Sequence, residues 1–319
     1  MLRDRKKTAS GLLMLCAWVV FLIAVLGMIC KKEPFYTWFY SFAWWAYILF
    51  VESFLSFRGH RSLLFTNPAR FLLLLPLSVM IWLIFEVFNF RLQNWHYLNL
   101  PPQRGPRWIG YTIAYATVLP AIFSTVNLLD IQGVVRQVRA VPFRIDFLKK
   151  WSVRLGIATL VLPVLFPKVF FPLVWLGFIF CFDPYNYKYG AGSILRDLEK
   201  GAIRTLSLLL IGGLICGMLW EFWNFWAGSK WSYTIPYLGF LKIFEMPILG
   251  FLGFPFFAVE CYVMTNTFFL FVQRLHQEEN RKKEWNAWVL MAAVAVVFSV
   301  VSYIGIDAFT VASLQTVKH

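Results

Sequence analysis

Apolar runs of about twenty residues alternate with short basic or turn-rich segments along nearly the whole chain. They cover Gly11 to Cys30, Phe35 to Phe57, Phe71 to Phe90, Trp108 to Leu129, Val153 to Phe182, Ile203 to Trp226, Pro247 to Val272 and Trp285 to Ile306. About twenty apolar residues in a helix cross the ~30 Å hydrocarbon layer of a membrane. The run from Val153 to Phe182 is ambiguous, because Pro163, Pro167 and Pro172 interrupt it around Lys168. Proline removes a helical hydrogen bond and clashes with the preceding turn. The run reads either as one broken helix or, as the sidedness of the basic residues favours, as a hairpin of two short or re-entrant helices turning near Lys168, each arm about 15 residues or roughly 22 Å long. The expected fold is all-α, a polytopic membrane bundle of about nine (eight to nine) transmembrane segments.

Basic residues set its orientation. Arg3, Arg5, Lys6 and Lys7 precede the first run, and the segments Arg58 to Arg70, Arg136 to Arg154, Lys188 to Arg204 and Arg274 to Lys283 hold most of the other cations. With nine spans all of these fall on one side, which predicts a cytoplasmic N-terminus and a multi-pass protein of the cytoplasmic (inner) membrane. The first run reads as a retained anchor, because Cys30-Lys31-Lys32-Glu33 lacks the small residues of a cleavage site.

Two stretches share a pattern. Phe85-Glu86-Val87-Phe88-Asn89-Phe90 is followed by Trp95-His96-Tyr97, and Trp220-Glu221-Phe222-Trp223-Asn224-Phe225 by Trp231-Ser232-Tyr233. Trp44 with Glu52 eight residues on matches Trp175 with Asp183, and Asn127 matches Asn266. An even number of spans per half makes this a parallel internal repeat. The expected organisation is a first repeat over residues 1–140, a second over 141–275 and an extra C-terminal helix over 276–319. Pro101 to Pro106 and Trp231 to Pro247 are turn-rich outward loops, and Gln132 to Lys150 is a basic, mixed segment suited to the membrane surface or to a solvated linker.

Composition agrees with this reading and narrows the chemistry. The 319 residues are 60% hydrophobic and 14% charged, with mean hydropathy +0.65, far more apolar surface than a soluble core would bury. The net charge of +14 follows topology rather than a nucleic-acid partner, since no basic face interleaved with stacking aromatics emerges. The five cysteines form no Cys-x-x-Cys pair and the four histidines no paired motif, so no metal and no cofactor is expected.

Glu86, Glu221 and Glu260 are the candidate catalytic acids. A carboxyl in hydrocarbon is far cheaper neutral than charged, and intramembrane acids are functional candidates. Asn89 and Asn224 share helix faces with the first two acids and are placed to hydrogen-bond them. Glu260 has Ala121 as its counterpart in the first half, so it breaks the repeat as a single site would. Glu52 and Asp183, at span ends where hydration is cheap, read as structural. Trp95, Tyr97, Trp220, Trp223, Trp231 and Tyr233, with Asn89 and Asn224, are the candidate substrate-binding residues, since π faces stabilise cations by ~0.5 to 2 kcal/mol each. The competing reading makes the Glu-x-x-Asn pairs polar glue between helices. Gly213 and Gly217 form a small-x-x-x-small seam with no chemical role.

Glu221, Trp231-Ser232-Tyr233 and Phe244-Glu245-Met246-Pro247-Ile248-Leu249-Gly250, with Glu86, Trp95-His96-Tyr97 and Pro106-Arg107-Trp108-Ile109-Gly110, give the chain a resemblance to integral-membrane lycopene cyclase domains of carotenoid biosynthesis. The paired acids that follow the proline in that family are replaced here by Ile248-Leu249 and Arg107-Trp108. The resemblance implies an acid-initiated reaction on a long apolar polyene without a redox cofactor. The expected function is binding of a lipid or isoprenoid with protonation for cyclisation, hydration or isomerisation. The alternatives are a carrier or transporter of an apolar or weakly acidic solute, and a membrane scaffold subunit.

Overall fold

The computed structural model describes residues 2–278 and 280–312. The chain opens with α1 (Leu2–Ile29), α2 (Phe39–Phe57), the single turn α3 (Leu63–Thr66) and α4 (Pro68–Leu92). Asn67 starts α4, its side chain accepting from the Arg70 amide at 3.0 Å with Pro68 in the first turn. Gln93, at φ 54°, ends it in the left-handed region. Strand β1 (Trp95–Leu98) follows, then α5 (Arg104–Tyr115) and α6 (Val118–Ile131), which continue one another with a break at Ala116 and Thr117.

The proline-interrupted run forms the expected hairpin. Helix α7 (Asp146–Leu165) stops at Phe166, and α8 (Pro167–Phe170), a 3-10 turn over Phe171–Trp175 and α9 (Gly177–Tyr189) lead back. The first arm is 20 residues long rather than about 15, because the helix begins at Asp146, before the apolar run does. The Ser152 hydroxyl donates to the Phe180 carbonyl at 3.0 Å and ties the arms together. The short α10 (Ile194–Glu199) leads to α11 (Arg204–Trp226) and strand β2 (Lys230–Tyr233). Strands β3 (Lys242–Ile243) and β4 (Met246–Pro247), a 3-10 turn over Ile248–Leu252, α12 (Gly253–His276) and α13 (Arg281–Phe309) complete the described chain.

Among the described residues, seven helical segments are long and apolar enough to cross a membrane: Arg5–Ile29, Pro68–Leu92, Arg104–Ile131, Pro167–Tyr189, Arg204–Trp226, Ile248–His276 and Arg281–Phe309. Helices α2 and α7 are 19 and 20 residues long; α2 carries Glu52 among many Trp, Tyr and Ser residues, and α7 carries Asp146, Lys149, Lys150 and Arg154. The fold is a helical bundle of multi-pass membrane character with very little sheet.

The seam on α11 works by close approach. A Cβ on Gly217 would stand 2.2 Å from the Phe254 ring, and one on Gly213 2.7 Å from the Ala258 Cβ, so α11 lies directly against α12. Helix α13 is more than an appendage. Its Asp307 accepts from Arg107 Nε and Nη2, both at 2.7 Å, from the Trp108 indole at 3.0 Å and from the Tyr111 hydroxyl at 3.1 Å, all on α5. The Tyr97 amide donates to the Thr310 carbonyl at 2.7 Å, which fastens the end of α13 to β1.

Candidate functional site

The two Trp-x-Tyr segments are the strands of one small sheet. β1 and β2 pair antiparallel with Trp95 opposite Tyr233 and Tyr97 opposite Trp231. The asparagines build the turns that bring the strands there. Asn89 donates to the Trp95 carbonyl at 2.8 Å while its oxygen accepts from the Asn94 amide at 2.8 Å. Asn224 donates to the Trp231 carbonyl and accepts from the Trp231 amide, both at 2.9 Å. Neither amide bonds its neighbouring acid, contrary to expectation, because the returning backbone takes its hydrogen-bonding atoms.

Each acid instead meets the tyrosine of its own segment. Glu86 Oε1 accepts from the Tyr97 hydroxyl at 2.5 Å, the Trp82 indole at 2.8 Å and the Trp95 indole at 3.1 Å. Glu221 Oε1 accepts from the Tyr233 hydroxyl at 2.7 Å, while the Trp231 indole donates to that hydroxyl at 2.7 Å. Both acids are wholly buried, and the second oxygen of each has no protein partner. The Tyr97 hydroxyl also accepts from Tyr115 at 2.9 Å. Burial, reinforced by the neighbouring carboxyl, pushes the phenols of Tyr97 and Tyr233 well above their ordinary range, so both stay hydrogen-bond donors.

Two cavities meet at this sheet. The larger, about 400 Å³, lies among Trp95, Phe171, Trp175, Met246, Leu249 and Phe257, and the smaller, about 80 Å³, among Trp38, Tyr40, Tyr111, Tyr115 and Trp220. Trp82, Tyr97, Trp231, Tyr233 and Phe254 line both. The two tyrosines therefore stand between the cavities and the carboxyls, which are one hydrogen bond behind the wall. The aromatic lining is well packed: Phe257 sits edge-on to Trp82 at 5.7 Å and to Trp175 at 5.6 Å. An apolar groove lined by Phe42, Trp45, Pro106 and Ile109 adjoins the smaller cavity, sharing Trp38, Ser41 and Gly110 with it.

Glu260 stands apart from this cluster. Its Oε1 accepts the Phe178 amide at 3.0 Å in the first turn of α9, and it lines neither cavity. The lone acid holds the start of a helix, a place where a carboxylate satisfies an otherwise orphaned amide. Trp223 also lies elsewhere, edge-on to Trp44 at 4.5 Å and lining a groove beside α1 with Phe21 and Val25. Trp220 borders the smaller cavity, its indole nitrogen buried without a partner.

Glu52 and Asp183 hold loops, but in the dry interior rather than at hydrated span ends. Glu52 accepts from Ser62 at 2.5 Å, Leu64 N at 3.0 Å and Ser124 at 2.8 Å. Asp183 accepts from Ser193 at 3.1 Å, Ile194 N at 3.0 Å and Leu195 N at 2.7 Å. A readable signal existed, since each acid stands ten residues before its serine. Tyr115 and Asp307 carry no such signal of spacing, although Asp307 is a single acid near the end of a long apolar helix.

Among the described residues no three His, Cys, Asp or Glu side chains gather in a way that could hold a metal ion. The chain matches no family model, no curated protein and no solved structure.

Proposed function

We propose that the chain is a nine-span protein of the cytoplasmic membrane that binds a polyene or isoprenoid lipid between the two Glu–Tyr pairs and delivers a proton to it. The N-terminus is cytoplasmic, and two parallel halves of four helices, divided at residues 140 and 141, are followed by one extra helix from residue 276. Matched hydrogen bonds at Asn89 and Asn224, at Glu52 and Asp183, and the antiparallel pairing of β1 with β2 support the duplication, since a two-fold axis along the membrane normal relates such halves.

One observation carries the functional reading: the tyrosines lining an aromatic cavity are each hydrogen-bonded to a buried carboxyl. A carboxyl proton reaches the ligand through the phenol, whose hydroxyl turns from the carboxyl toward a double bond, gives up its proton there and takes the carboxyl's in exchange, reversing the hydrogen bond between them. The cation formed lies among the faces of Trp175, Trp231 and Phe257, and loss of a proton from the rearranged or cyclised cation recharges the acid. No electron acceptor is consumed. Glu221–Tyr233 is the working pair, because its carboxyl holds one donor where Glu86 holds three.

The test is expression in a polyene-accumulating host with lipid profiling by mass spectrometry. Tyr233→Phe and Glu221→Gln are expected to lower product formation at least 100-fold, the loss typical of a general acid, while ligand still co-purifies. A wild-type profile identical to that of the empty host sinks the catalytic reading. Co-purified but unaltered lipid in that case identifies a carrier.

A further inference from the structure

At the other end of α4, roughly 24 Å along the helix from Glu86 at 1.5 Å per residue, lies a cleft of about 830 Å³ between the start of α4, the end of α9 and the end of α12. We propose that it binds the phosphate of an anionic phospholipid. This site is independent of the cavity at the Glu–Tyr pairs.

Two guanidinium groups border the cleft without a carboxylate partner among the described residues. Arg70 lies over the Phe269 ring at 4.1 Å, and Arg274 lies over the Tyr189 ring at 4.0 Å and donates to the Tyr185 hydroxyl at 2.7 Å. No Asp or Glu is among the described lining residues; Glu278, next in sequence to the lining residue Gln277, lies 4.0 Å from the Lys283 ammonium, and Glu284 is paired with His276 at 2.7 Å. Asn266, also in the lining, has a buried amide nitrogen close to the Tyr262 hydroxyl. Unpaired guanidinium forks beside an amide donor are complementary to phosphate oxygens.

The cleft is built before any ligand arrives. Its floor, Gly190 to Gly192, is held by Arg196, which donates to the Asn186 and Tyr187 carbonyls and to the Ala191 carbonyl at 2.7 Å. Asn186 in turn donates to the Val263 carbonyl at 2.9 Å and fixes α9 to α12. Little ordering is then required on binding. The other wall is apolar, formed by Leu73, Phe269, Leu270 and Val272. An inorganic anion leaves that wall wet, whereas a phospholipid covers it with its chains. Basic pockets between membrane helices suit anionic headgroups for the same reason.

Native mass spectrometry of the purified full chain, titrated with phosphatidylglycerol and with phosphatidylcholine, tests the assignment. Wild type is expected to retain phosphatidylglycerol in preference. Each arginine at an anionic headgroup contributes about fivefold, so Arg70→Gln with Arg274→Gln is expected to weaken retention about 30-fold. Gln273→Glu, an exposed change that leaves the arginines in place, is expected to weaken it as well by setting a carboxylate beside the phosphate. The paired change Arg136→Gln with Arg139→Gln removes the same charge elsewhere and is expected to leave retention intact. Equal binding of the two lipids, or an equal loss in the Arg136 and Arg139 variant, overturns the proposal. Displacement of the lipid by millimolar inorganic phosphate also overturns it, and assigns the cleft to a small anion.

Discussion

One oxygen of Glu86 takes three hydrogen bonds, and the corresponding oxygen of Glu221 takes one. Two differences produce this. Four residues before Glu86 stands Trp82, whose indole donates to the acid, and four before Glu221 stands Gly217, whose missing side chain is replaced by the Phe254 ring. The connection to the strand is also one residue longer in the second half, with the tyrosine eleven residues after Glu86 and twelve after Glu221. The Trp231 indole then reaches the tyrosine hydroxyl instead of the carboxyl. The Glu86 region is further fixed by α13, whose Thr310 carbonyl accepts the Tyr97 amide. A carboxyl that organises three donors suits the structural hub that the proposal makes of Glu86. One that holds a single phenol keeps the freedom that proton exchange requires.

Truncating the acids should separate these roles most sharply. Glu86→Ala leaves three buried donors unpaired at about 1 to 3 kcal/mol each, a loss of order 5 kcal/mol in all. Glu221→Ala leaves one, a loss of about 2 kcal/mol. Denaturant or thermal unfolding in detergent reads the difference, and product formation should fail in the Glu221 variant even where the protein remains folded. Equal destabilisation by the two changes would remove the distinction between hub and working acid.

The second break is through α13. Arg107 and Asp307 are 4% and 12% exposed, and removing one member of a buried pair typically costs 3 to 5 kcal/mol. Asp307→Ala is expected to lose about 4 kcal/mol and to loosen β1 at Tyr97, since the same helix end supplies Thr310. Hydrogen exchange should then rise at Tyr97 well before it rises in the far half of α11. Uniform exchange across both regions would show that α13 supports the bundle generally and not the Glu86 side.

Much of this arrangement was legible in the residues. Apolar runs located the long helices, the prolines located the hairpin turn beside Lys168, and the spacing of Glu, Asn, Trp and Tyr picked out the residues that meet at the sheet. Partners were harder to assign. Asn89 and Asn224 share a helix face with the acids, yet a returning chain offers backbone groups that a helical wheel omits. Glu260 is a candidate acid as a lone carboxyl in hydrocarbon, and its one partner, the Phe178 amide at the broken start of α9, is set by the packing of α9 on α12, which no local pattern shows. The partners of Asp307 were invisible for a related reason: they lie about 200 residues away on α5, a distance no local pattern spans.

The smallest change tests the comparison most finely. Trp82→Phe keeps an aromatic face in both cavities but removes one of the three donors to Glu86, so stability should fall by only about 1 kcal/mol. Glu221 and Tyr233 are untouched by it. If Glu86 is a hub, two remaining donors still hold its carboxyl and product formation is unchanged within twofold, a measurement made by lipid profiling at matched protein abundance. If turnover instead rises or falls more than tenfold while stability moves by the expected amount, the proton comes from Glu86, because altering its hydrogen bonds has altered how readily it gives the proton up. The order of the two acids would then reverse, with Glu221 holding the fold on its side and Glu86 serving the ligand.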